Sequence, residues 1–209
     1  MIPEVDDALR ALLREEALAD SDVELVLDAP TTEWAARRNA PTVNLYLYDI
    51  REDLRWRERG FVDQVENGKV VGRRPAPRLF KLSYLVTAWT QRPEDEHRLL
   101  DTVLRAVLRY SALPPSLLSG TLATSRYRPI LTAGLPPPED RGFADVWSSL
   151  GGQLKPSIDL VVTAPLEAEP IEAAPLAAAG ASVEMHDTDS GASDGQRTRH
   201  TPPDKRATR

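Results

Sequence analysis

Residues Leu79–Tyr110 read LFKLSYLVTAWTQRPEDEHRLLDTVLRAVLRY, and this stretch decides the fold class. Phe80, Leu82, Tyr84, Val86 and Ala88 alternate with Lys81, Ser83 and Thr87, the period of two of a strand with one buried face. Leu85 and Trp89 make the second face partly apolar, which places the strand inside a sheet rather than at its edge. Pro93 then opens a helix, because its missing N–H costs nothing in the first turn. Glu94, Asp95 and Glu96 follow on the positive end of the helix dipole. Leu100, Val103, Leu104, Val107 and Leu108 recur at helical spacing and predict one wide apolar face docked on the preceding strand.

Upstream, Ile2–Ala19 carries Val5, Leu9, Leu12, Leu13 and Ala17 on one face and reads as an amphipathic helix. Val23–Leu27 reads as a short strand ended by Pro30, and Thr32–Arg38 as a helical turn carrying Trp34. Val43–Ile50 is a second central strand, with Val43, Leu45 and Leu47 on one side and Asn44, Tyr46 and Tyr48 on the other. Downstream, the chain leaves its helix at the double proline of ALPPSLLS, Ala112–Ser119. Thr121–Leu131 reads as one irregular strand interrupted by Pro129, and Leu135–Pro138 as a stiff loop. Arg141–Leu150 has helical spacing stopped by Gly151-Gly152, and Ser157–Ala164 is a last strand. From the residues alone the chain is an α+β domain.

Residues Arg51–Arg78 depart from this pattern. Asn67-Gly68 is a two-residue hairpin signal with Phe61–Glu66 and Lys69–Gly72 as its arms. Arginine and aromatic residues interleave through the segment, and Arg55, Trp56, Arg57, Arg59, Phe61, Arg73 and Arg74 are the candidate contact residues. Interface hot spots are enriched in Trp, Tyr and Arg, which favours a contact surface over a hairpin whose charges only confer solubility.

The composition, 41% hydrophobic and 28% charged over 209 residues, suits one soluble domain plus extra material. The extra material is the tail from residue 166 to 209, rich in Ala, Pro and acidic then polar residues and free of aromatic ones. Such a segment buries too little to offset its ordering entropy, and the expectation is a disordered tail after a domain spanning residues 1–165. The absence of cysteine rules out disulfides and thiolate chemistry. A net charge of −6 argues against a nucleic-acid partner, though an adaptor binding nucleic acid through the arginine arm would announce itself by strong salt dependence. The expected site of folding is the cytoplasm, with no apolar run of membrane-spanning length and no secretory leader at Met1.

No catalytic constellation is legible, and no catalytic, cofactor-binding or metal-ligating residue is assigned. Gly151-Gly152 follows a helix rather than leading into one, the wrong order for a phosphate loop. Of the three histidines, His186 and His200 fall in the tail, leaving His97 beside Glu94, Asp95 and Glu96. A small metal-dependent or acid–base enzyme centred on that EDEH helix start is the alternative reading. It is weakened because adjacent helical residues point in different directions, so Glu96 and His97 do not share a ligand easily. Asp49 and Asp159 are expected to pair with nearby arginines.

Several separate strings occur together: VNLYLYDIRED, PAPRLFKLSYLVTAW, EDEHRLL, and a tryptophan-bearing helix ending LGG before KPSIDLVVTAP. In this order they resemble the cap or tail-terminator proteins of extracellular contractile injection systems, of the antifeeding-prophage and Photorhabdus virulence-cassette type. The resemblance covers about Val5 to Pro165. It implies a mixed β-sheet flanked by helices, like phage tail terminators, assembled as a ring that is usually hexameric. Such a ring sits on the last layer of inner tube and sheath, stops polymerisation and anchors the sheath end during contraction. It implies a structural role, and no cofactor and no direct membrane insertion are expected. The family motif assigns no contacts, and the further expectation is that the hairpin arm, about residues 52–78, projects toward a neighbouring subunit, the tube or the sheath.

Overall fold

The computed structural model describes residues 1–58, 60–66, 69–134, 142–167 and 171–172. Helices are α1 (Ile2–Glu16), α2 (Thr32–Ala36), α3 (Pro93–Leu108), α4 (Gly120–Thr124) and α5 (Phe143–Ser149). Strands are β1 (Glu24–Val26), β2 (Thr42–Glu52), β3 (Phe61–Glu66), β4 (Lys69–Pro75), β5 (Arg78–Trp89), β6 (Ile130–Ala133), β7 (Ser157–Leu166) and β8 (Ile171–Glu172). They divide between two compact units, Met1–Val62 with Pro75–Glu169, and Asp63–Arg74 with Pro170–Arg209.

The first unit is built on a mixed five-stranded sheet in the order β1-β2-β5-β7-β6, parallel only between β1 and β2. The mixed α+β architecture therefore has β5 at its centre, as its two apolar faces require. Leu82, Tyr84 and Val86 meet Val43 and Leu45 of β2 and Leu160 and Val162 of β7 on one face. Val5, Leu9, Leu12 and Leu13 of α1 and Val103 and Val107 of α3 pack in the same cluster. Each large side chain buried here contributes about 1.5–3 kcal/mol. Tyr84 is fully buried and donates its hydroxyl to Asp6 Oδ1 at 2.7 Å, so its polar end is satisfied inside the core.

On the other face of the sheet, Trp147 and Val146 of α5 pack with Leu85, Tyr46 and Tyr48. Trp34 of α2 meets Trp89 edge-on at 5.3 Å, and Trp89 lies 6.3 Å from Trp147, so three of the four tryptophans form one ladder. Thr32 Oγ1 donates to the Gly151 carbonyl at 2.5 Å, joining α2 to the end of α5. Gly151 itself takes φ +69°, the left-handed cap that ends α5 as read from the sequence.

Three sequence expectations change. The apolar face of α3 centres on Val103, Ala106 and Val107, with Leu99 packed beside them, while Leu108 is 65% exposed. The Leu100–Leu104–Leu108 row lies one residue around from the buried row and drifts into solvent. Thr121–Leu131 is not one strand: α4 forms first and β6 holds only its last part. The cause is a distant cap. Glu4 of α1 accepts from the Leu122 amide at 3.0 Å and the Thr121 hydroxyl at 2.9 Å, and a Cβ on Gly120, at φ +54°, would meet Glu4 Oε1 at 2.7 Å. Finally, pairing runs past the expected strand ends to Glu52↔Phe80 and Arg78↔Leu166, so Arg51, Glu52 and Arg78 are strand residues, and β7 passes through Pro165.

The second unit is a small sheet in the order β3-β4-β8. The two hairpin strands stand where the sequence places them, with β4 continuing to Pro75. Arg73 Nε meets Asp63 Oδ1 at 3.0 Å across it. β8 pairs antiparallel with β4 at Gly72↔Glu172 and Arg73↔Ile171. The expectation of a tail disordered throughout therefore fails at Ile171–Glu172, where backbone pairing to a strand edge supplies what the side chains lack. Asn67-Gly68, Leu135–Pro138 and the tail from residue 173 lie outside the described residues.

Candidate docking surface

The segment leaving β2 is fixed by one carboxylate. Asp53 is 4% exposed and accepts from Arg55 Nε at 3.1 Å, Arg55 Nη2 at 3.0 Å and the Arg55 amide at 3.3 Å. Lys81 Nζ stands 3.4 Å away on β5, and the Asp53 amide donates to the Leu79 carbonyl at 2.7 Å. The Arg55 guanidinium, helped by its own amide and by Lys81, holds the Asp53 carboxyl below the usual carboxylate range despite burial. This anchor starts a 3-10 turn at Leu54–Trp56.

Neighbouring arginines are committed in the same way. Arg57 Nε lies 3.2 Å from Glu52 Oε1, with Arg78 Nε at 3.8 Å, and Arg51 Nε lies 2.7 Å from Asp49 Oδ2. Glu58 receives Arg126 Nη2 at 2.7 Å and the Tyr127 hydroxyl, and the Arg126 guanidinium lies 4.6 Å over the Tyr127 ring. Among the described residues, what the segment leaves unpaired is apolar: Leu54 is 65% exposed, Trp56 62% and Phe61 61%, with Ile50 half exposed on the strand before them. Exposed large apolar side chains grouped within one short stretch mark an interaction site more than solubility does.

Of the residues picked from sequence, Arg55, Trp56 and Arg57 come together in this turn and Phe61 opens β3. Arg73 and Arg74 belong to the second unit, and Arg59 lies outside the described residues. Leu54 lies inside the arginine-rich run and Ile50 at the end of the strand before it, and neither carries a local signal of its exposure. The Glu58–Arg126–Tyr127 contact joins positions 68 and 69 residues apart, a pairing no local pattern reveals.

The EDEH helix start is occupied structurally. Glu96 Oε1 accepts from Lys155 Nζ at 2.6 Å and from the Thr90 amide at 3.2 Å, while Asp95 pairs with Arg98 at 2.9 Å. Among the described residues no group of three or more His, Asp or Glu side chains is arranged to hold a metal. Asp49 pairs with an arginine as expected, but Asp159 has no arginine partner among the described residues. It is 6% exposed and accepts the Tyr48 hydroxyl at 2.9 Å, which the register shift between Leu47 and Asp49 allows across the sheet. Burial raises the Asp159 carboxyl, with Asp49 adding to the rise, and raises the Tyr48 phenol in turn.

The Pvc16 N-terminal domain family profile matches residues 4–177, most of the chain. The chain belongs to the Pvc16 N-terminal domain family. The match continues beyond Pro165 and takes in β8. Comparison with curated proteins gives no match. Among solved structures, the fold is similar to the PVC sheath/tube terminator of an extracellular contractile injection system in its extended state, with TM-score 0.64 and 24% identity over 91% of this chain. It is also similar to the tube-terminating cap of the anti-feeding prophage, with TM-score 0.56 and 24% identity over 86% of this chain. At that identity the likeness establishes a shared fold, the mixed sheet with flanking helices. This Pvc16-type domain spans 65% and 60% of those two chains, less than two thirds of either.

Proposed function

We propose that this protein is the cap, or tail terminator, of a phage-tail-like contractile injection particle, with a structural and not an enzymatic role. Subunits form a ring, a hexamer by analogy, that sits on the terminal inner-tube and sheath layer, ends polymerisation and anchors the sheath end. Residues 1–165 make the cap domain, the segment and hairpin at about 52–78 make the contact arm, and residues 166–209 form an appendage to it. Assembly takes place in the cytoplasm, within a particle that is afterwards released, with no nucleic-acid partner and no insertion into a membrane.

The observation that carries this reading is membership of the Pvc16 N-terminal domain family. The docking surface supports it: a segment rigidly anchored at Asp53 presents Leu54, Trp56 and Phe61 to solvent, the arrangement identical subunits need for head-to-tail contacts that close. Arg55, Trp56, Arg57, Arg59, Phe61, Arg73 and Arg74 remain the proposed interface, with the aromatic residues supplying most of its energy. The test is imaging of particles assembled with this subunit labelled and with its gene deleted. Label at the sheath end, and sheaths of uncontrolled length in the deletion, are expected; normal particles without the protein would overturn the proposal.

A further inference from the structure

The first unit holds a cleft of about 590 Å³ at the end of the sheet where β2 begins and β5 ends. Its walls are the loop from α2 to β2, the loop from β5 to α3, and one face of α3. Three guanidiniums line it, Arg38, Arg92 and Arg98, against the single carboxylate of Asp95. In a chain of net charge −6 this is a local reversal of sign, and concave low-dielectric walls focus its field on an incoming anion.

The three cations are unequally engaged. Arg98 holds Asp95 on the surface, with its own side chain 80% exposed. Arg38 sends Nη1 to Glu24 at 3.1 Å and lies 4.7 Å over the Trp34 ring, leaving a buried Nε without a partner among the described residues. Arg92 is exposed, and its guanidinium has no ion pair among the described residues. The backbone at this end of α3 is already used. Pro93 has no N–H, and the Asp95 and Glu96 amides turn back to the Arg92 carbonyl at 3.1 and 3.3 Å. Among the described residues, this end of α3 therefore lacks the nest of free amides that favours a phosphate. The remaining walls offer the amide side chains of Asn39 and Gln91 over apolar Trp89 and Leu99, paired donors and acceptors suited to a peptide backbone.

We propose that this cleft binds an acidic peptide segment of a partner protein, with one carboxylate held by Arg92 and by Arg98 on its release from Asp95. The site goes beyond the cap reading and shares no residue with the Leu54–Phe61 segment, so either can fail without the other. The full chain, labelled with nitrogen-15, is titrated at low ionic strength with an acetylated hexaglutamate peptide, and separately with hexalysine and inorganic pyrophosphate. Hexaglutamate should shift the Gln91 and Arg92 amides and the Trp89 indole, and hexalysine should not. Arg92→Glu should weaken binding about fivefold or more, and Asp95→Asn, which frees Arg98, should strengthen it. Both positions face solvent, so an unchanged amide spectrum elsewhere shows that the variants fold. No shift at these residues, equal binding by Arg92→Glu, or pyrophosphate binding more tightly than the peptide would each overturn the proposal.

Discussion

Trp147 and Trp56 are the same side chain put to opposite uses. Trp147 is 2% exposed on the second face of the sheet, stacked toward Trp89 and Trp34, and its apolar area is consumed by folding. Trp56 is 62% exposed between Leu54 and Phe61, on a turn whose arginines are answered by Asp53 and Glu52. The ladder spends its burial on stability. The proposed docking segment is anchored by ion pairs and leaves its apolar area in solvent, so docking through it would carry a low ordering cost.

The comparison is broken most directly at its buried end. Trp147→Ala should cost about 3–5 kcal/mol of unfolding free energy, read by urea denaturation, because it removes the buried end of the ladder that packs on Leu85. The triple change of Leu54, Trp56 and Phe61 to Ser should move stability by no more than about 0.5 kcal/mol. The same variant should lose about 2 kcal/mol or more of docking to terminal sheath and tube subunits, measured by pull-down or calorimetry. A triple variant that unfolds would show the segment to be core; one that docks normally would remove it from the interface.

Two acids sharpen the contrast further. Asp53 has its folded pKa lowered, so its stabilising effect is present above the unfolded value and lost as pH falls through the folded one. Asp53→Ala should cost about 1 kcal/mol at neutral pH, since Arg55 and Lys81 are exposed enough to be rehydrated, and the gap to the parent should narrow in acid. Asp159 is the reverse case. Its folded pKa is raised by burial, so the ionised form penalises the fold at neutral pH and the penalty lifts as the group protonates. Asp159→Asn, still able to accept from Tyr48, should be the more stable protein at neutral pH, with the smallest effect of the set and one that vanishes on acidification. Melting temperatures of the parent and both variants across the acid range check both signs.

Much of this architecture was readable in advance. The alternation from Phe80 to Ala88 and in Val43–Ile50 was dense enough to identify two central strands, because a strand buried on both faces writes its surroundings into every residue. The terminator-like arrangement came from strings that recur in order, not from periodicity. Where the reading slipped, the deciding partner was remote in sequence. Leu108 was counted into the face of α3 because helical spacing fixes which residues share a stripe, but not where that stripe is centred on the sheet. Thr121–Leu131 was misread because its helical turn is capped by Glu4, and Asp159 was given an arginine because a register shift brings Tyr48 to it.

The sequence by itself determined most of the elements, the central place of β5, the family and the segment where the proposed contact residues gather. Only the tertiary structure decided which of those residues are free to act. It paired Arg55 and Arg57 with carboxylates and left Leu54, Trp56 and Phe61 in solvent. The physical reason is that local pattern records a residue's own chemistry, while its availability depends on charges and surfaces that folding brings to it from far along the chain.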